Sequence, residues 1–277
     1  MTKQTNDSRP NVLGAIGAWI WLAIIIVPIY YIFVTSLRPQ EDYYAENPLS
    51  WPSNATLDAY NRVLENDFVR FFLNSVVVTA VSVAVSLAVS LMAAYVVVRS
   101  RDWFGRNLFR VALLGIAIPI QAAIIPVYYL IVQLGLYDTL AALILPSIAF
   151  AIPLTLLILT NFLREIPESL FESMRMDGAT EWRILVRLVV PLSRPALATV
   201  GVYQALQVWN GFLFPLVLTQ SSSTRVIPLS LWSFQGQFGV DVPAVLAAVV
   251  LSVLPMLAAY IVARRQLVSG LTAGIGK

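Results

Sequence analysis

Six stretches of this chain lack Asp, Glu, Lys and Arg and are long enough to cross a bilayer as helices, which takes about 20 apolar residues each. They are residues 13–34, 71–98, 111–134, 139–163, 196–218 and 242–263. Hydrocarbon offers no partner to backbone N–H and C=O groups, so a spanning segment of this length must bond within itself as a helix. The expected fold class is therefore an all-α polytopic membrane protein with six transmembrane helices. It forms one transmembrane domain over 1–277, with long connections at 35–70, 164–195 and 219–241. A composition of 58% hydrophobic and 12% charged residues fits that reading, since soluble domains carry about 25% charge. The first stretch exceeds a signal-peptide core and no A-x-A site follows Val34, so it reads as a retained helix.

Basic residues set the orientation. Of the 18 Lys and Arg, only Arg38, Arg62, Arg70 and Arg225 fall on one side; the other fourteen fall on the side of the termini. Lys and Arg accumulate in cytoplasmic loops. Both termini and connection 164–195 are thus expected in the cytoplasm of a prokaryotic-type cell membrane, with 35–70 and 219–241 outside. The net charge of +3 is a topology signal; lipid is an expected partner and nucleic acid is not.

The composition also excludes chemistry. The chain has no Cys and no His, which removes disulfides, Cys/His zinc sites and Ser–His–Asp triads. No Asp, Glu, Lys, Arg or His lies within a stretch, so a proton relay or voltage sensor has little to work with. Lysine occurs only at positions 3 and 277, which rules out a G-x-x-x-x-G-K-[ST] phosphate loop. No catalytic residue, metal or cofactor is expected on this chain, and an intramembrane enzyme lacks a catalytic set.

Polar residues inside the stretches are few. Ser75, Thr79, Ser82, Ser86 and Ser90 follow helical spacing in the second, with Ala93 and Ala94 beyond. That pattern is chiefly a close-packing seam, with a hydroxyl-lined conduit as the alternative. In the fifth, Tyr203, Gln207, Asn210 and Phe214 share one face, beside Gln204 and Trp209. Unpaired amides are costly in hydrocarbon, so this face meets protein or water. Amides beside aromatic rings suit a polyol, and interhelical amide bonding explains them equally well. Gln121, between Pro119 and Pro126, belongs to the same candidate path.

The most distinctive passage is REIPESLFESMRMDGATEWRILVRLVVPLSRP, residues 164–195. Pro167 and Glu168 open a helix, Leu170, Phe171 and Met174 form an apolar patch, and Gly178 closes it. Thr180 caps a second helix that Pro191 ends. Such an amphipathic unit either docks in a groove on another protein or lies solvated as a connector.

The run Glu172, Ser173, Met174, Asp177, Gly178 and Ala179, with Pro191 beyond, resembles the "EAA" loop of ABC importer permeases, Ser173 and Met174 replacing the usual alanines. The resemblance implies the type I ABC importer permease fold, and implies that these residues couple to a separate ATPase. Gly270, Leu271, Thr272, Ala273 and Gly274 match the "GLTAG" tail of the carbohydrate-uptake branch, permeases similar to the second maltose permease subunit. In that branch the tail reaches the ATPase. The stretch with Phe234, Gln235, Gly236 and Gln237 resembles the loop that contacts an extracytoplasmic solute-binding protein. The implied partners are a second permease subunit, an ATPase dimer that holds ATP and Mg, that binding protein and a sugar, a disaccharide or oligosaccharide. The competing expectation is an ATP-independent facilitator or channel for uncharged polyols.

Overall fold

The structure is a computed structural model and describes residues 12–100, 103–236 and 239–273. By internal contacts the chain divides into two compact units. One runs to Asn66 and takes in Phe234–Leu251; the other is Asp67–Ser233 with residues from Ser252 onward.

In the first unit, α1 (Val12–Ser36) is apolar around its whole circumference, and its side chains are exposed along nearly its full length. That pattern belongs to a helix surrounded by hydrocarbon or by another subunit. The following loop folds around Arg38, which is fully buried. Its guanidinium donates to the Asn47 and Ser50 carbonyls at 3.0 and 2.9 Å and lies 3.1 Å from Glu46. α2 (Asp58–Glu65) follows. Arg62 on α2 pairs with Asp241 at 2.8 Å, and Asp241 also accepts from the Ala244 N–H, capping the last helix of the chain.

The second unit is built on α3 (Phe68–Arg99), which contains neither Pro nor Gly. Ser75, Ser82, Ser86, Ser90 and Ala94 are buried along it, and its main neighbour is α6 (Leu140–Arg164). Small residues let the two backbones approach closely, as the seam reading requires. Between them, α4 (Trp103–Leu114) runs into a 3-10 turn, Gly115–Ala117, and the path then bends by 106° into α5 (Ile120–Gln133). The third stretch is therefore two helices rather than the single one expected. Ile118 is extended (φ −82°, ψ 110°), the conformation that a following proline imposes. Pro126, by contrast, sits within α5 without ending it. At Gly115 a Cβ would come within 2.8 Å of the Pro153 ring on α6, so the bend rests on a close approach.

Beyond α6 come α7 (Glu168–Met176) and α8 (Glu181–Ile184). A π-helical turn, Leu185–Val189, then leads into α9 (Val190–Leu192). Here the expectation is corrected by one residue. The Val190 N–H reaches back five residues to the Leu185 carbonyl, and the widened turn takes Pro191 inside the helix, which stops at Leu192. A 73° bend starts α10 (Arg194–Trp209).

The fifth stretch is also interrupted. α10 ends at Trp209, residues 210–212 are non-helical, and α11 covers Leu213–Leu218. Pro215 has no N–H to give to the Gly211 carbonyl, and its ring would clash with that carbonyl in a continuous helix. α12 (Ile227–Ser230) completes this part. Strands β1 (Gln235–Gly236) and β2 (Gly239–Val240) pair antiparallel and precede α13 (Val242–Ala273).

Candidate functional site

A cavity of about 260 Å³ opens within the second unit between α3, α6, α10 and α11, with Ile120 of α5 contributing. Small-molecule clefts run from about 300 Å³ upward, so it is a small one. Its wall is mainly apolar and aromatic. Phe150 and Phe214 stand 5.7 Å apart by ring centroids, and Tyr203, Trp209 and Phe212 add further rings. Polar groups come from Ser75, Thr79, Ser147, Thr155, Gln204 and Gln207, and no charged side chain lines it.

The two glutamines play different parts. Gln204 is buried; its oxygen accepts from Ser86 Oγ of α3 at 2.5 Å and its nitrogen donates to Thr155 Oγ1 of α6. Both ends of this amide are thus occupied by helices, as in the bonding alternative. Gln207, one turn further, is exposed on the cavity wall, as is Tyr203. Neither side chain has a hydrogen bond to the rest of the described residues. Trp209 is buried, donates to the Ser252 carbonyl at 3.2 Å and meets Phe72 edge-on.

Asn210 does not share the wall: it follows the last helical residue, and its amide turns back to the Leu206 carbonyl at 2.8 Å. Gln121 lies exposed in the first turn of α5 and is not among the lining residues. The sequence reading missed Ser147, Phe150 and Leu154, although their spacing of three and four on α6 was visible.

Beside the cavity, the α5–α6 corner is clamped by Asp138, which adopts φ +59°. Its carboxylate accepts from the Gln220 and Ser221 N–H groups at 2.9 and 3.0 Å and from Thr224 Oγ1 at 2.6 Å. Burial alone would raise its pKa, but these bonds outweigh it and hold the carboxyl well below the usual carboxylate range.

The second candidate region is the corner between α7 and α8. Gly178 has φ +73°; its N–H donates to the Arg175 carbonyl at 2.9 Å, and the Ala179 N–H reaches the Met174 carbonyl at 3.0 Å. This paired closure satisfies the last carbonyls of α7 through a left-handed residue. Asp177 directly follows the helix, and the Thr180 hydroxyl caps α8 by accepting from the Arg183 N–H at 3.4 Å. Glu172, Ser173, Asp177 and Gly178 are exposed, and Met176 is 89% exposed.

The apolar patch does not face outward as a whole. Phe171 is buried in the chain's own core with Leu91, Leu159 and Ile184, Met174 and Ala179 pack against that core, and Leu170 stays exposed. Arg99 covers Phe171, its guanidinium carbon 4.6 Å from the ring centre, and pairs with Glu168 at 2.5 Å. Glu181 joins three elements: it accepts from the Tyr95 hydroxyl on α3 and pairs with Arg175 of α7 at 2.9 Å. The Tyr95 hydrogen bond first, and Arg175 next, lower its pKa.

Phe234 ends a 3-10 turn, and Gln235 and Gly236 form β1. Gly270, Leu271, Thr272 and Ala273 are the last residues of α13, while Gln237 and Gly274 lie outside the described residues.

Residues 86–268 match the family described as binding-protein-dependent transport system inner membrane component. The chain belongs to that family. The match takes in α6, the α7–α8 corner, α10 and most of the cavity wall. Among the relatives of this inner membrane component, ORF2 of Caldicellulosiruptor sp. (strain Rt8B.4) is 39% identical, covering 93% of this chain and 94% of its own. The diacetylchitobiose uptake system permease protein NgcG of Streptomyces coelicolor is 30% identical over 92% of this chain and 85% of its own. The trehalose/maltose transport system permease protein MalG of Thermococcus litoralis is also 30% identical, covering 95% of this chain and 96% of its own. A solved chain of a bacterial ABC transporter that imports the acidic polysaccharide alginate superposes with a TM-score of 0.80 at 24% identity, covering 92% of this chain and 95% of that one. The fold is the type I ABC importer permease fold. The protein is a multi-pass transport permease of the membrane, not an enzyme.

Proposed function

We propose that this chain is one permease subunit of an ATP-driven sugar importer, working by alternating access with a second permease, an ATPase dimer and an extracytoplasmic binding protein. The α7–α8 corner carries the reading: it is exposed and closed by backbone bonds, and its residues resemble the loop by which such permeases engage an ATPase. ATP and Mg belong to that neighbour, and this chain's part is to convert its closure into movement of the helices around the cavity. The loop must bind the two ATPase states differently, since equal affinity shifts nothing. Glu172–Ala179 form the contact, and Gly270–Gly274 a second one.

The sugar assignment rests on the uncharged, ring-lined wall and on the named substrates of NgcG and MalG. A disaccharide or oligosaccharide without charge fits it, with Tyr203 and Gln207 meeting the cargo. Six crossings with cytoplasmic termini follow from the six apolar stretches and the fourteen-to-four division of basic residues. Residues 234–237 belong to connection 219–241, which that orientation puts outside, and are assigned to the binding-protein contact. None of the relatives named above favours the freestanding facilitator.

The test is uptake of labelled disaccharide into proteoliposomes. Uptake is expected only with the ATPase, ATP and the binding protein together. Movement down a gradient by this chain alone would overturn the reading.

A further inference from the structure

The α7–α8 corner is fastened to α3 twice. One fastening is Glu181, whose two oxygens take different partners: Oε2 accepts from the Tyr95 hydroxyl, and Oε1 accepts from Arg175 Nε and Nη2 at 3.2 and 2.9 Å. The other is Arg99, which bonds Glu168 at 2.5 Å and covers Phe171 on the same helix, α7. Tyr95 and Arg99 are one turn apart on α3, so both ends of the corner grip a single stretch of helix.

What lies above that stretch matters equally. α3 has no Pro or Gly from Phe68 to Arg99, whereas α6 contains Pro146 and Pro153, and the α4–α5 and α9–α10 paths bend by 106° and 73°. Halfway along, Ser86 joins α3 through Gln204 to α10 and, by Thr155, to α6. Thr79 stands on the cavity wall. It lies sixteen residues from Tyr95, about 24 Å along an α-helix.

We propose that Tyr95 and Glu181 are positioning residues of a latch that carries displacement of the cytoplasmic corner into α3, and thereby to the cavity wall. Displacement travels through packed rigid elements and bonded networks; α3 and α6 both reach from corner to cavity, and α3 is the one without proline or glycine. The two fastenings resist different motions. Glu181 ties the α7–α8 corner to the side of α3, and the Arg99 pair stops α7 from sliding along it. This proposal rests on the coupling role assigned above.

The test uses the full importer in proteoliposomes. The chain has no native cysteine, so Met176→Cys, at an 89% exposed position, gives one site for crosslinking to the ATPase. ATP hydrolysis and sugar uptake are measured together for Tyr95→Phe, Glu181→Ala and Glu181→Gln. Tyr95→Phe and Glu181→Ala are expected to keep the crosslink and ATP hydrolysis, while uptake per ATP falls about fivefold or more. Glu181→Gln, which retains an oxygen for the Tyr95 hydroxyl, is expected to recover most of that loss.

Unchanged uptake per ATP in Tyr95→Phe and Glu181→Ala overturns the latch while the crosslink still stands. Loss of the crosslink in those variants alone also overturns it, because the residues then serve assembly only. A crosslink absent from Met176→Cys with no other change removes the coupling role itself, a different failure.

Discussion

Gln204 and Gln207 sit one helical turn apart on α10 and answer to different neighbours. Gln204→Leu strips Ser86 and Thr155 of a shared partner, at a cost of about 1–3 kcal/mol for the buried groups left behind. The expected result is a lower melting temperature in detergent. Gln207→Leu faces open cavity and is expected to leave melting unchanged while reducing uptake. Gly178 separates two effects in the same manner. A Cβ there meets nothing within 4 Å, so Gly178→Ala costs only the left-handed backbone, about 1–2 kcal/mol. Gly178→Pro also removes the N–H that closes α7, and is expected to abolish ATPase-dependent uptake. Asp138 gives a pH signature. Its pKa is depressed on folding, so its contribution is complete above the unfolded value, about 3.9, and fades as pH falls toward the folded one. Wild type and Asp138→Asn are therefore expected to differ most in melting temperature at neutral pH and to converge in acid. The sequence marks Gln207 on a polar face with Gln204 beside it but not which is bonded, because the deciding hydroxyls come from residues 49 and 118 positions away in the chain.

At the scale of elements, the places where helices run were legible and the places where they break were only half so. Apolar length without charge names a crossing, since hydrocarbon leaves few other options. Breaks depend on backbone groups that packing can rescue. Pro119 stands at one break and Pro215 in the first turn after another, while Pro126, Pro146 and Pro153 leave their helices uninterrupted. The π turn at Leu185–Val189 had no sequence marker; it brings Ile184, Leu185 and Val189 onto one buried face. In the sequence Phe171 belongs to an apolar patch whose cover stays open, because periodicity reports a face and not what covers it. The proposed role of α3 is also testable by softening it at the exposed positions Val85 and Val89. Val85→Gly with Val89→Gly is expected to preserve assembly and lower uptake per ATP. A straight readout is the same paired measurement of hydrolysis and uptake.

For the whole molecule, the absence of cysteine makes topology directly readable. Ser53→Cys is expected to react with a membrane-impermeant maleimide from outside intact cells, and Ser173→Cys only in inverted vesicles. Reaction of Ser173→Cys from outside would reverse the orientation assigned from the basic residues.

The occupied amide of Gln204 has one more consequence. A passing molecule finds rings to lean on and, with that amide taken, Gln207 as the one amide left to grip it, so a brief stay in the passage is expected. Retention would belong to a receptor upstream, and the membrane subunit would be a weigh-station whose merit is how readily it lets its freight depart.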